Sequence, residues 1–224
     1  MTADLPASAP TALMTPTRLF LLRHGEVETK YHRVFGGSRI DMELSPAGHA
    51  QAERLATWLA RTSFDAVYAS PMRRVALTYA PFRRHFPGEP VILPGLREID
   101  FGDWTGFGWN EVEARFGMSA FDWLHHLEHD RVTGAESLAH FRDRLAVSLQ
   151  QILTEQPGKT VAVFCHGGVI RGLLSQLLDQ PLRWFEHVEV EYASATWVDA
   201  GISKAGKIRN ELQLLNFTPW RDLP

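Results

Sequence analysis

The chain has 224 residues, 45% of them hydrophobic and 22% charged, which supplies one large core and excludes a disordered, collagen-like or low-complexity chain. Lysine plus arginine number 23 and aspartate plus glutamate 26, a net charge of −3 that gives no general affinity for nucleic acid or membrane. The single cysteine, Cys165, excludes an intrachain disulfide and a multi-cysteine zinc site and points to a reducing compartment.

Residues 1–17 are rich in Ala, Pro and Thr and lack both Lys/Arg and an apolar stretch, so they read as a flexible tail rather than a secretory signal. No apolar run approaches the roughly 18 residues needed to span a bilayer, which predicts a cytoplasmic protein. From residue 18 to 224, short apolar runs alternate with helical patterns. This predicts one α/β domain with a mostly parallel sheet between two helical layers. Arg18 to Leu22, Ala66 to Ala69, Val91 to Leu93 and Val161 to Phe164 are the expected strands. Ser45-Pro46 opens a helix carrying Leu55, Trp58 and Leu59, and a second helix is expected from Pro71 to about Phe86. Leu138, Phe141, Leu145, Leu149 and Ile152 form one helical stripe, and a further helix runs from about Val169 to Leu178. Residues 102–133 break the alternation and are aromatic-rich, which predicts a short cap. The segment from Val188 to Pro224 either completes the sheet or makes a homodimer contact.

Ligands of open α/β sheets bind beyond the carboxyl ends of the strands. Here those ends carry Arg23-His24-Gly25, Ser70-Pro71-Met72-Arg73, Arg97-Glu98 and His166-Gly167-Gly168. Such a set suits phosphoryl transfer without a metal or cofactor. Arginine forks and a protonated histidine meet the phosphoryl oxygens, a neutral histidine can attack phosphorus, and a carboxyl group can serve as acid and then base.

At these residues the chain resembles the histidine phosphatase superfamily, which includes the phosphoglycerate mutases. The resemblance is carried by Leu22-Arg23-His24-Gly25-Glu26, Leu44-Ser45-Pro46-Ala47-Gly48, Tyr68 to Arg74, Leu96 to Trp104, Gly134-Ala135-Glu136-Ser137 and Cys165-His166-Gly167-Gly168. It implies His24 as the phosphorylated nucleophile and Glu98 as proton donor, with Arg23, Arg73 and His166 holding the phosphoryl group. Gly167 adds a backbone N–H. Where relatives place Thr or Ser and Asn after Arg-His-Gly-Glu, this chain has Val27 and Lys30; the lysine is expected to supply a point charge to the substrate. Glu98 and Glu136 stand 38 positions apart, a compact cap that favours a phosphatase over a mutase, and the stretch from Leu96 through the cap looks most similar to alpha-ribazole phosphatases.

Other readings remain open at this point. Cys165 to Arg171 has the C-x-x-G-x-x-R spacing of cysteine-dependent phosphatases, mutase-type transfer uses the same histidine, and a non-catalytic phosphate-ligand binder shares the fold. His125, His126 and His129, without cysteine and beside Glu128 and Asp130, read as a solvated face rather than a metal site. The expected partner is a small phosphate ester.

Overall fold

A computed structural model describes residues 15–204 and 207–223. A six-stranded sheet has the order β3-β2-β4-β1-β5-β6. Strands β1 (Thr17–Arg23), β2 (Ala66–Ala69), β3 (Val91–Ile92) and β4 (Thr160–Cys165) are parallel. The antiparallel pair β5 (Ala195–Lys204) and β6 (Lys207–Phe217) extends the sheet beyond β1, so the C-terminal segment completes the sheet. Of the expected 1–17 tail, residues 1–14 lie outside the described residues. Thr17 already belongs to β1: its hydroxyl donates to the Gln156 carbonyl (2.9 Å) and accepts from the Gly158 N–H (3.0 Å).

Alternation along the strands builds two cores. Leu19 and Leu21 of β1, Tyr68 of β2 and Val161, Val163 and Cys165 of β4 face one side, packed against α5 (Leu138–Glu155) and α6 (Gly167–Leu177). Phe20, Leu22, Val67, Ala69, Ala162 and Phe164 face the other side, against α1 (Pro46–Leu59) and α2 (Arg73–Tyr79). Both faces are covered, which is why the strands read as continuous apolar runs. The Ser45 hydroxyl accepts the Gly48 N–H at 2.9 Å and starts α1, a cap worth about 1 kcal/mol. The second expected helix is shorter than the sequence suggests: α2 ends at Tyr79 and a 3-10 turn covers Ala80–Arg84, because Pro81 cannot continue the α-helical ladder.

Residues 102–133 hold α3 (Trp109–Phe116), α4 (Trp123–Glu128) and two 3-10 turns, arranged beside the carboxyl ends of the strands. Their aromatics divide by role. Trp104 is fully buried and Phe107 and Phe116 pack on the main core, whereas Trp109, Phe121 and Trp123 line a cavity. Of the three cap histidines, His125 and His129 are exposed, with Glu128 between them and ligand atoms within 4.8 Å of one another. His126 instead is buried edge-on to Trp104. Among the described residues no helix is long and apolar enough to cross a membrane.

Candidate active site

Strand register creates the site. In the parallel β1–β4 pair Arg23 lies opposite Cys165, so the next residues, His24 and His166, leave the sheet side by side with ring centroids 5.3 Å apart. In the β2–β4 pair Ala69 lies opposite Phe164, which brings the Ser70 hydroxyl to 2.8 Å from Nε2 of His166. A cavity of about 570 Å³ opens over these strand ends.

Two contacts fix the form of His24. Nδ1 stands 2.8 Å from the Gly25 carbonyl, an acceptor only, so Nδ1 carries a proton. Nε2 receives a hydrogen bond from Nε of Arg74 at 3.2 Å, a donor only, so Nε2 holds a lone pair. Burial, then the cations of Arg74 and Arg23, hold the pKa of His24 well below the ordinary histidine value, which keeps the ring neutral. The same loop is pinned from behind: the Gly25 N–H donates to the Thr78 hydroxyl (2.8 Å). Gly25 and Gly48 also pass so closely that a Cβ on Gly25 would come within 2.6 Å of the Gly48 carbonyl oxygen, which accounts for a glycine in both motifs.

The basic pair at the start of α2 is resolved against the sequence expectation. Arg73 is 58% exposed, forms an ion pair with Glu43 and donates its backbone N–H to Asp41 (2.7 Å), so it does not reach the cavity. Arg74 does. It is 3% exposed and, besides His24, its guanidinium donates to the carbonyls of Ile40 (3.1 Å) and Gly37 (3.0 Å). The physical reason is helical phase: Arg74, Val75, Thr78 and Tyr79 share the inward face, while Arg73 falls outside it. Burial lowers the Arg74 pKa to about 10, still high enough to keep the cation at neutral pH. Lys30 is likewise absent from the cavity wall; it is 62% exposed and paired with Glu28 at 2.9 Å, because the 3-10 turn Thr29–Tyr31 turns it outward.

Arg23 lines the cavity, donates Nη1 to the Val190 carbonyl and lies 4.0 Å over the Tyr192 ring, while its buried Nε has no partner. His166 is fully buried and is not part of the cavity wall; its Nδ1 is also without a partner. Its pKa too is pushed well down, by burial first and then by Arg74, His24 and Arg23. Arg171, one turn into α6, adds a third arginine to the lining. A Cβ on Gly167 would stand 3.4 Å from Nη1 of Arg171 and 3.5 Å from Nε of Arg23, so the two cations flank the first residue of the helix. Three guanidiniums, the unpartnered Nε–H of Arg23 and the N-terminus of α6 make this end of the cavity cationic.

Glu98 completes it. Its carboxylate accepts the Ile99 N–H (3.0 Å) and the Gly168 N–H (3.1 Å). A Cβ at residue 168 would come within 2.5 Å of the carboxylate, so only glycine admits Glu98 to this position. Behind it, Arg144 binds both oxygens of Glu136 (2.6 and 2.8 Å) and donates to the carbonyls of Gly95, Arg97 and Glu98. The Gly134-Ala135-Glu136-Ser137 motif thus acts through Arg144 on the turn that carries Glu98.

Cys165 is fully buried on the α5–α6 side of β4 and is not part of the cavity wall. Burial raises its thiol pKa far above the ordinary range, so it cannot supply a thiolate. The cysteine-dependent reading of Cys165 to Arg171 therefore loses its nucleophile, although its arginine does line the cavity.

Comparison with known proteins gives the family and the fold. The chain is 30% identical to phosphoserine phosphatase 1 of Hydrogenobacter thermophilus over 90% of its own length and 92% of that protein's. It is 27% identical to the adenosylcobalamin/alpha-ribazole phosphatase of Escherichia coli, over 81% and 89%. Among solved structures, the alpha-ribazole phosphatase of Shigella flexneri superposes with a TM-score of 0.77 at 24% identity, covering 89% of this chain and 96% of that one. The model of the histidine phosphatase superfamily (branch 1) matches residues 19–208. With the ordered motifs gathered at one cavity and matched over most of the chain, the protein belongs to the histidine phosphatase superfamily and is a phosphoric monoester hydrolase.

Proposed function

We propose that the chain hydrolyses a small phosphorylated metabolite, without a metal, through a phosphohistidine on Nε2 of His24. The observation that carries this reading is the fixed neutral tautomer of His24, whose Nε2 lone pair meets a cationic cavity. In the first step Nε2 attacks phosphorus, the bond to the ester oxygen breaks, and that oxygen takes a proton from the carboxyl group of Glu98. In the second, Glu98 takes a proton from water, the water oxygen attacks phosphorus, and the phosphorus–nitrogen bond breaks to return neutral His24. The balance is ester plus water to alcohol plus phosphate. Arg23, Arg74 and His166 stabilise the charge on the three phosphoryl oxygens, with Arg171 and the amides of Gly167 and Gly168 close by. An arriving phosphoryl dianion offsets the cations that, after burial, depress the pKa of His166, and so shifts that ring towards protonation.

The aromatic mouth formed by Trp109, Phe121 and Trp123 fits a leaving group with an apolar or flat part, and alpha-ribazole phosphate belongs in the first substrate screen. The test is direct. Rapid quench with a slow ³²P-labelled ester is expected to trap acid-labile phosphate on His24, and p-nitrophenyl phosphate is expected to turn over in EDTA. Label on another residue, or turnover that requires metal, overturns the proposal.

A further inference from the structure

The geometry points to a second subsite at the cavity mouth that selects phosphate esters whose alcohol portion carries a positive charge and no carboxylate, such as amino-alcohol phosphates. This rests on the phosphatase reading above and extends it from the phosphoryl group to the leaving group.

The cavity wall carries both signs of charge. Arg74 is buried against His24, while the half-buried Arg23 and Arg171 reach the connection that follows α6 and donate to its carbonyls at Val190 and at Phe185 and Val188. The mouth is lined by three exposed carboxylates, Asp122, Glu186 and Glu189, from two separate segments. Asp122 ends the 3-10 turn Ala120–Asp122 of the cap, while Glu186 and Glu189 stand on the connection that follows α6. His187 lies 3.7 Å from Glu186, and Glu189 acts on Arg171, so that arginine offsets part of this negative charge. The mouth nonetheless contains more carboxylate than cation, and Lys30, the one residue the sequence offered as a counter-charge, stands outside it.

The aromatic wall is the second observation. Phe121 is 75% exposed although it packs edge-on to Trp109 with centroids 4.9 Å apart. Trp123 is held edge-on to Phe101 at 5.6 Å, and Trp109 stacks on Phe35. Aromatic rings and carboxylates lining one cavity are the chemistry that receives an ammonium group: rings attract its charge and shield its alkyl part, and the carboxylates set the sign. A second anionic group on the substrate meets repulsion there, which is discrimination against the wrong ester as well as attraction to the right one.

The test isolates charge from shape. Phosphocholine and 3,3-dimethylbutyl phosphate differ only in a quaternary nitrogen replaced by carbon, and 3-phosphoglycerate supplies the anionic comparison. Phosphocholine is expected to show a kcat/KM about tenfold or more above its carbon isostere, with 3-phosphoglycerate lower still. In a variant combining Asp122→Asn, Glu186→Gln and Glu189→Gln, the ratio of phosphocholine to isostere is expected to fall towards one. Equal or better turnover of the isostere or of 3-phosphoglycerate overturns the inference, as does a ratio that survives the triple substitution. If p-nitrophenyl phosphate and all three esters are inert, the phosphatase reading itself fails, which separates the two outcomes.

Discussion

At the inner end of the cavity, His24 and Arg74 are buried and sit where strand register and backbone carbonyls put them, with His166 sealed beside His24; at the mouth, Asp122, Phe121 and Glu186 are exposed side chains on 3-10 turns. The inner end is preorganised, so its groups meet a developing charge without rearranging. The mouth is adaptable and works through net charge and apolar surface. The contrast teaches that the chemistry is set by the sheet and the choice of substrate by the cap and the loop after α6. It also predicts a steep fall in mutational sensitivity from the inner end outward.

The sharpest way to break that comparison lies in two adjacent residues. Arg74→Met removes a buried guanidinium that touches His24, and kcat/KM for p-nitrophenyl phosphate is expected to fall about 10²- to 10³-fold. Arg73→Met removes an exposed partner of Glu43 and is expected to change it by less than about threefold. Steady-state kinetics on the two purified variants decide this, and the reverse ranking would place the cavity's cation on the wrong residue.

A smaller effect is expected one layer further back. Arg144→Ala frees the turn that carries Glu98 and leaves the Glu136 carboxylate, 8% exposed, with only His140 and the Asp100 N–H, at a cost of about 2 kcal/mol in stability. Arg144 is a positioning residue, so its loss should follow the leaving group. An alkyl phosphate, which needs a proton from Glu98, is expected to lose about tenfold in kcat, while p-nitrophenyl phosphate, with its good leaving group, loses little. Equal losses on both substrates would mean that Arg144 supports only the fold.

The inner end also carries a signature in stability. The folded pKa values of His24 and His166 are depressed, so the unfolded chain binds more protons than the native one below pH about 6.5. Stability is therefore fully present above that pH and declines as the pH falls through it, by up to about 1.4 kcal/mol per pH unit for each ring. Urea titrations between pH 7.5 and 5.5 should show this decline in the wild type and a flatter profile in a His24→Asn, His166→Asn variant. An unchanged profile would mean that the two rings are not held neutral.

Much of the inner end was legible because it depends on chain-local rules. Apolar runs marked β1, β2 and β4, Ser45-Pro46 marked the start of α1, and the residue after each strand end had to face the cavity. Arg73 and Arg74 show where that reading stopped. Adjacent arginines look alike in composition, and only the phase of α2, set by Val75 and Tyr79 on the buried face, turns the second one inward. That signal was present in the sequence as an i, i+4 apolar pair. Arg171 was noticed only through its spacing from Cys165. Burial of the strand-end thiol follows from the apolar run of β4, but nothing local predicted that Arg171 would line the cavity. The mouth was less legible still, because Glu186 and Glu189 meet the cap only through tertiary folding over more than 60 residues of separation from Asp122.

Lys30 gives the mildest test and bears on the mouth alone. As a substitute for the polar residue found in relatives, it would be expected to bind an anionic flank of the substrate. In the structure its side chain is 62% exposed, its ammonium pairs with Glu28 and lies 4.9 Å over the Tyr31 ring, and it is absent from the cavity wall. Exposed pairs of this kind contribute little, and a charge on the far side of the turn is screened within about 8 Å at physiological salt. Lys30→Ala is therefore expected to leave kcat/KM within about twofold for neutral, cationic and anionic esters alike. A selective loss of more than about fivefold on the anionic ester would show that Lys30 swings into the mouth when substrate arrives. The carboxylate rim would then be only half of the mouth's charge, and the division between a fixed inner end and an adaptable outer one would need to include the 3-10 turn Thr29–Tyr31.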